Sequence, residues 1–406
     1  LLFIGDVDLF SWIISFILIK ELYLLKSNVN KWMKVLFLVF HGLSSSNGIS
    51  KKIVAQVKAI KDLGLETHLA RYEVKADGSR CWMLDEHVLV NFGSGTCAKV
   101  RKRIDYNAIL HYVIQSQTKF VYIRSDHNAN PFTIHLVRSM REFGCRVVME
   151  IPTYPYDQEY IALKLKFNLF WDRCFRHKLA EKLSAIVSFT NERLIFGQKT
   201  IGISNGVDFD SIPLRNKILL DKDDSIHLLG VAEIHYWHGF DRVIAGMAQY
   251  YRANPSRKVY LHLVGKLSGK REEEEVLLPI SKNQLEPYVV MHGPLWGDDL
   301  DKMFDQADFA IGSLGRHRSG IDSIRTLKNR EYAARGVAFA YSETDSDFDE
   351  MDYVMKVLAD ESPLNIPELL RFIDGLQLSP EEIRNSIGHL SWREQMAKVF
   401  KVSEKL

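Results

Sequence analysis

From residue 33 onward the chain alternates short apolar runs with amphipathic stretches, which is the pattern of an α/β protein. Residues 35–40 form a continuous apolar run, as expected of a parallel strand covered on both faces. After the loop HGLSSSNG, residues 49–63 place Ile49, Ile53, Val57 and Ile60 on one helical face, and Gly64 stops the helix. Residues 66–71 return as a strand, completing a βαβ unit whose crossover should be right-handed. A hairpin is predicted to turn at Asp77-Gly78. Helices over 106–116 and 131–143 then alternate with strands over 120–124 and 146–151, followed by a long helical stretch over 160–184 and a strand over 185–189. The segment TIGISNGVD (200–208) is read with this half, and 209–224 has no periodicity.

The pattern then restarts. Strands are predicted over 226–231, 259–264, 289–292, 309–313 and 338–341, and helices over 239–251, 272–283, 297–305 and 326–335. Helical patterns over 367–375 and 380–406 close the chain. The expected plan is two doubly wound domains, 33–208 and 209–385, with a C-terminal helix over 386–406 able to pack back on the first. Ligand is expected outside the carboxyl ends of the strands and in a cleft between the domains.

Composition narrows the function classes. At 46% hydrophobic and 26% charged residues the chain is globular, which excludes a disordered, collagen-like or coiled-coil protein. Lys and Arg (53) nearly balance Asp and Glu (51), so the basic excess of a nucleic-acid binder is missing and no nucleic acid is expected as partner. Cys81, Cys97, Cys145 and Cys174 are scattered and read as reduced thiols in a cytoplasmic compartment. No HExxH or Cys/His zinc spacing occurs, so no metal is expected, and GSG at 93–95 does not open a GxGxxG. Residues 1–32 carry an apolar run, 9–19, too short to span a bilayer. Three readings of this extension stand side by side: sequence outside the natural gene product, a membrane-surface anchor, or an extra packed helix.

The stretch LKNREYAARGVAFAY (327–341) carries the clearest chemistry. Glu331 on this helix can accept from a ribose hydroxyl, and Lys328, one turn earlier, can reach a phosphate; an ordinary i,i+3 surface pair is the alternative. In context the segment resembles the nucleotide-binding helix of GT-B glycosyltransferases, specifically the retaining group called family 4. ISNGVD (203–208), GVAEIHYWHGFDRVIAG (230–246), VVMHGPLWGDDLDKMFDQADFAIGSL (289–314) and the loop in which Gly48 opens a helix resemble further stretches of that family, in the same order. The whole is similar to bacterial capsular or surface polysaccharide glycosyltransferases. The resemblance implies two Rossmann-like domains facing a central cleft, a nucleotide-diphosphate sugar as donor, UDP- or GDP-linked, and no cofactor. It also implies a glycan or lipid-linked glycan acceptor on the N-terminal domain.

The resemblance carries specific residues. Glu331 falls on the family's ribose-binding Glu, but Ser323, beside Asp322, stands eight positions earlier where the family has a second Glu. The family's phosphate-binding Arg and Lys fall on or near Ala232 and His238. Charge developing on the diphosphate must therefore be met by Lys328, His238, Arg316 or Arg318, with backbone N–H groups at helix N-termini near Gly239 and Leu327. Gly293 joins Ser323 and Gly48 as a donor-side candidate. In VVMEIPTYPYD (147–157), Pro152 takes the place of a family His, and Glu150, ending an apolar strand, is read as catalytic or paired. Tyr154, Tyr156 and Asp157, with Arg124, Asp126 and His127 at the end of the preceding strand, are the expected acceptor contacts; a loop packed on the core is the alternative.

The basic, aromatic stretch over 160–184 is read either as a membrane-surface helix or as a sheet-packed helix with a solvated basic face. The acidic run 272–275 is read as a solvated helix start. Two rivals to a transferase are a GT-B-fold sugar-nucleotide epimerase or hydrolase, and a non-catalytic nucleotide-sugar-binding relative.

Overall fold

The computed structural model describes residues 33–44, 48–157, 163–216 and 224–405; residues 1–32, with the three readings of them, lie outside the described residues. The chain divides into two compact units, one within Leu1–Ile203 and Met396–Leu406, the other Ser204–Gln395. Residues 204–208, read from sequence with the first half, pack in the second unit. No helix among the described residues is long and apolar enough to cross a membrane.

The first unit is built on a nine-stranded sheet in the order β4-β3-β2-β1-β5-β6-β7-β9-β8. Its strands are β1 (Lys34–Val39), β2 (Glu66–Val74), β3 (Arg80–Leu84), β4 (His87–Asn91), β5 (Phe120–Arg124), β6 (Arg146–Ile151), β7 (Ala185–Ser188), β8 (Leu194–Ile195) and β9 (Gln198–Gly202). The central strands run parallel, and β3, β4 and β8 add antiparallel edges. Burial of Val35–Val39 in β1 explains the continuous apolar run there.

Helices α1 (Gly48–Asp62), α2 (Gly95–Ile104), α3 (Asn107–Gln115), α4 (Pro131–Glu142) and α5 (Leu163–Lys182) complete this unit. In α1, Ile53, Val57 and Ile60 are buried as the periodicity requires, but Ile49 is 46% exposed in the first turn. The hairpin forms where Asp77-Gly78 placed it: Gly78 has φ 79°, and the Ser79 N–H donates to Asp77 Oδ1 at 2.8 Å. The sequence reading missed β4 and α2. Their pattern is weak because β4 is a partly exposed edge and α2 buries only Ala98.

The second unit has a six-stranded parallel sheet in the order β12-β11-β10-β13-β14-β15. The strands are β10 (Ile226–Val231), β11 (Val259–Val264), β12 (Val289–Gly293), β13 (Phe309–Ile311), β14 (Phe339–Tyr341) and β15 (Val354–Lys356). The helices are α6 (Phe240–Arg252), α7 (Lys270–Lys282), α8 (Asp298–Gln306), α9 (Leu327–Ala334), α10 (Ile366–Gly375), α11 (Pro380–Ser386) and α12 (Trp392–Ser403). The single helix expected over 380–406 is two, separated by a 3₁₀ turn at Gly388–Leu390. From Met396 the last helix belongs to the first unit, where the Phe400 ring lies 4.6 Å from that of Phe120. Strand order reverses between β10 and β13, so the second unit has its topological switch point there.

Candidate functional site

At the switch point β10 and β13 pair only through Leu228↔Phe309 and Leu229↔Ala310, then part. The buried Tyr332 hydroxyl fills the parting: it accepts from the Val231 N–H at 3.2 Å and donates to the Ile311 carbonyl at 3.1 Å. Tyr332 thereby fixes α9 against the carboxyl ends of both strands. Three loops gather around this point, 232–239 after β10, 312–326 after β13 and 342–349 after β14.

The first two loops are clamped together. The Leu314 N–H donates to the His238 carbonyl at 2.9 Å and the Gly315 N–H to the Trp237 carbonyl at 3.2 Å. Gly239 has φ 66°, and a Cβ there would meet Gly315 N at 2.8 Å, so only glycine allows this approach. Arg318 donates to the Tyr236 carbonyl at 2.8 Å and to Asp241 at 2.9 and 2.7 Å, and also pairs with Glu361. Hydrogen bonds to Asp241, and then to Glu361, raise its pKa. This corrects the phosphate-binding expectation for Arg318: its charge is balanced by two carboxylates, and it pins the loop. Arg316 stands differently, with its guanidinium 5.5 Å from the centre of the Trp237 ring.

The polar groups beside this clamp are unusual. Lys328, in the first turn of α9, has a buried Nζ with no hydrogen-bond partner among the described residues. Burial, and then the Arg316 charge, push its pKa well below that of an ordinary lysine. Glu343, just after β14, is 2% exposed, and neither carboxyl oxygen has a hydrogen-bond partner among the described residues. Burial pushes it up to about 7. His238 is buried, and its Nδ1 accepts from the His235 N–H at 2.9 Å, which places its proton on Nε2. Burial first, with Lys328 and Arg316 adding, depresses its pKa, so it is a neutral N–H donor at pH 7.

The other donor-side candidates are placed as follows. Glu331 keeps a side chain 32% exposed and accepts from Arg335 Nε at 3.2 Å. Ser323 is exposed, and its segment pairs with residue 344: the Thr344 N–H donates to the Asp322 carbonyl at 2.7 Å and the Ile324 N–H to the Thr344 carbonyl at 3.0 Å. Gly293 ends β12 with φ 69°. Gly48 opens α1 in the first unit, with neither a positive φ nor a close neighbour demanding glycine. The solvated start expected at 272–275 is corrected at Glu272, which is buried and accepts from the Tyr236 N–H at 3.2 Å.

In the first unit Glu150 is fully buried at the end of β6. It accepts from the Tyr122 hydroxyl at 2.6 Å and Gln56 Nε2 at 2.7 Å, lies 3.3 Å from Lys52 Nζ, and pairs with Arg124. Burial alone would raise its pKa, but Lys52 and Arg124 outweigh this and hold it at about 2. A carboxylate so paired neither takes nor gives a proton near neutrality, which corrects the catalytic reading of Glu150. Arg124 is committed to the same network.

The 152–157 loop packs on its own unit. Tyr156 is buried, donates to Asp172 at 2.6 Å, and stacks on the His127 ring at 3.7 Å. Burial lowers the His127 pKa to about 4. Asp157 binds Arg173 at 2.8 Å and Arg176 at 2.7 Å, so both sit as loop anchors. Tyr154 is half-buried beside Phe196, with ring centres 5.7 Å apart, and Asp126 is exposed. Of the basic face expected on α5, Arg176 turns inward onto Asp157, while Lys166, Arg173 and Lys178 are exposed beside Phe167 (63%), Phe170 (61%) and Trp171 (46%).

Sequence reasoning missed Glu343, Tyr332 and the buried Arg330, which binds Asp345 at 2.6 Å and the Asn205 carbonyl at 3.0 Å. Glu343 was within reach, since it follows a strand end, the position already used to select Asp126 and His127.

No protein-family profile matches the chain, and no curated protein matches it. Solved structures do. Sucrose-phosphate synthase from Thermosynechococcus elongatus aligns with TM-score 0.63 over 92% of this chain and 98% of its own, at 12% identity. HepE of Anabaena in complex with UDP aligns with TM-score 0.57 over 92% and 100%, at 13% identity. The catalytic domain of starch synthase IV from Arabidopsis thaliana, bound to ADP and acarbose, aligns with TM-score 0.58 over 92% and 99%, at 11% identity. The chain therefore has the GT-B fold, with two Rossmann-like units.

Proposed function

We propose that this chain is a glycosyltransferase that moves a sugar from a nucleotide-diphosphate sugar, UDP- or GDP-linked, to a glycan or lipid-linked glycan, with retention. The observation that carries the reading is the buried, unpartnered Lys328 ammonium at the α9 N-terminus, beside His238 at the switch point of the second unit. A buried cation without a partner costs stability and persists where a ligand supplies the counter-charge. The GT-B fold and the UDP- and ADP-bound state of structural neighbours point the same way.

In the proposed reaction the anomeric C–O bond to the diphosphate breaks, the nucleoside diphosphate leaves with the bonding pair, and an acceptor hydroxyl oxygen bonds to the same carbon while its proton passes to the departing phosphate oxygen. Lys328, the Nε2–H of His238 and the backbone N–H groups opening α9 meet the charge that develops on it. Arg316 flanks them, and Glu331 accepts from the ribose. We assign no metal or cofactor to this step. The acceptor is proposed to contact the first unit near Asp126 and Tyr154. The exposed Phe167, Phe170 and Trp171, flanked by Lys166 and Lys178, suit contact with an anionic membrane surface. In this reading the enzyme works at the cytoplasmic face of the plasma membrane and assembles bacterial surface polysaccharide.

The test is calorimetric titration of UDP, GDP and their hexose conjugates into the wild type and into the Lys328→Ala and Glu331→Ala variants. Tight binding by wild type and a loss of tenfold or more in each variant, about 1.4 kcal/mol, is expected. Full nucleotide affinity in both variants means the site is elsewhere. Turnover of a sugar nucleotide with no acceptor present would favour an epimerase or hydrolase.

A further inference from the structure

We infer that Glu343 is the residue of the second unit that grips the sugar portion of the donor, by accepting hydrogen bonds from its hydroxyl groups. The inference rests on the donor reading above and extends it to a residue and a ligand moiety.

Glu343 is 2% exposed, and both carboxyl oxygens are buried with no hydrogen-bond partner among the described residues. Its carbonyl accepts from Lys356 Nζ, and the neighbouring Thr344 is bound to residues 322 and 324 by two backbone bonds. The backbone that carries the carboxyl group is thus tied down, while the acceptor capacity of the group stays unused by the described residues. It follows β14, and Lys328, whose ammonium is likewise buried and unpartnered, is close enough to act on it electrostatically without forming an ion pair. Two such groups define a ligand with two chemistries. The ammonium calls for an anion. The carboxyl group cannot face that anion in ionised form, since like charges in a buried site repel strongly, so it calls for neutral donors. Two adjacent hydroxyl groups of a sugar match two carboxyl oxygens, and a sugar joined to a diphosphate places both chemistries side by side. Asp345 and Asp347 cannot take this role, because Arg330 binds both.

Calorimetry on wild type, Glu343→Gln and Glu343→Ala, with UDP and GDP against UDP-glucose and GDP-mannose, tests the inference. Glu343→Ala is expected to weaken sugar-nucleotide binding about tenfold or more, as for loss of a hydrogen bond to a charged group, and to leave the free nucleoside diphosphate within about threefold of wild type. Glu343→Gln, which keeps the shape and one acceptor oxygen, should recover part of the loss. Equal weakening of nucleotide and sugar nucleotide, or no change in either, overturns the inference while leaving the donor reading intact. Failure of the wild type to bind any of the four overturns the donor reading, and the inference with it. Melting curves of all three proteins identify any variant that loses affinity by unfolding.

Discussion

Lys328 and Glu150 show two opposite ways of burying a charge. The Lys328 ammonium has no hydrogen-bond partner among the described residues, so its burial costs stability that an arriving anion would recover. Lys328→Met should therefore raise the melting temperature while weakening nucleotide binding, a split that a purely structural lysine would not give. Glu150 sits between Lys52 and Arg124 and accepts two further hydrogen bonds. Glu150→Ala strands two buried cations and should cost about 3–5 kcal/mol by urea denaturation. Because its pKa is lowered in the fold to about 2, its contribution is complete above the unfolded value, fades as pH falls, and is gone below about 2. Acid titration should show a steeper loss of stability below pH 4.5 in the wild type than in Glu150→Gln.

At the scale of elements, helix α9 and the 312–320 loop hold the site through a few side chains whose roles depend on partners distant in sequence. Tyr332 joins two strand ends, and Arg318 clamps its loop to Asp241 and Glu361. Arg318→Ala should speed amide exchange in 314–320 and lower nucleotide affinity through the loop, since its guanidinium is committed to the Tyr236 carbonyl, Asp241 and Glu361. Across β10, β11 and β12 three imidazoles form a ladder: His227 to His262 at 2.9 Å and His262 to His292 at 3.0 Å. Burial, with its two neighbours, lowers His262 to about 4. The unfolded chain takes up this proton near pH 6.5 and the folded chain only near 4, so stability should fall as pH drops through that window. The contribution of His262 at pH 5 should be about 1–2 kcal/mol, read as a fall in melting temperature that His262→Asn makes smaller.

At the scale of the whole molecule, Lys328, His238, Arg316 and Glu331, which the proposed reaction assigns to the nucleotide, all lie within Ser204–Gln395. A chain beginning at Met33 should therefore keep wild-type affinity for nucleoside diphosphates; loss of binding would show that the leading segment supports the site. Much of the doubly wound plan was legible in the sequence, because a strand buried on both faces must be a short apolar run and its crossover helix must carry one apolar face. The runs at Val35–Val39 and Leu228–Leu229 could be little else. The edge strand β4 escaped, since partial exposure removes the constraint that writes the pattern, and β15 escaped because three residues are too few to show one. Lys328 was legible from its position at a helix start after a strand and loop. The commitments of Glu150, Arg318 and Asp157, and the unused carboxyl of Glu343, were not. Local sequence dictates which groups are charged and which segments are strands or helices. Whether a charge is cancelled or left waiting depends on residues far away in sequence, as Arg318 and Asp241 are at 77 positions, and only packing brings those together.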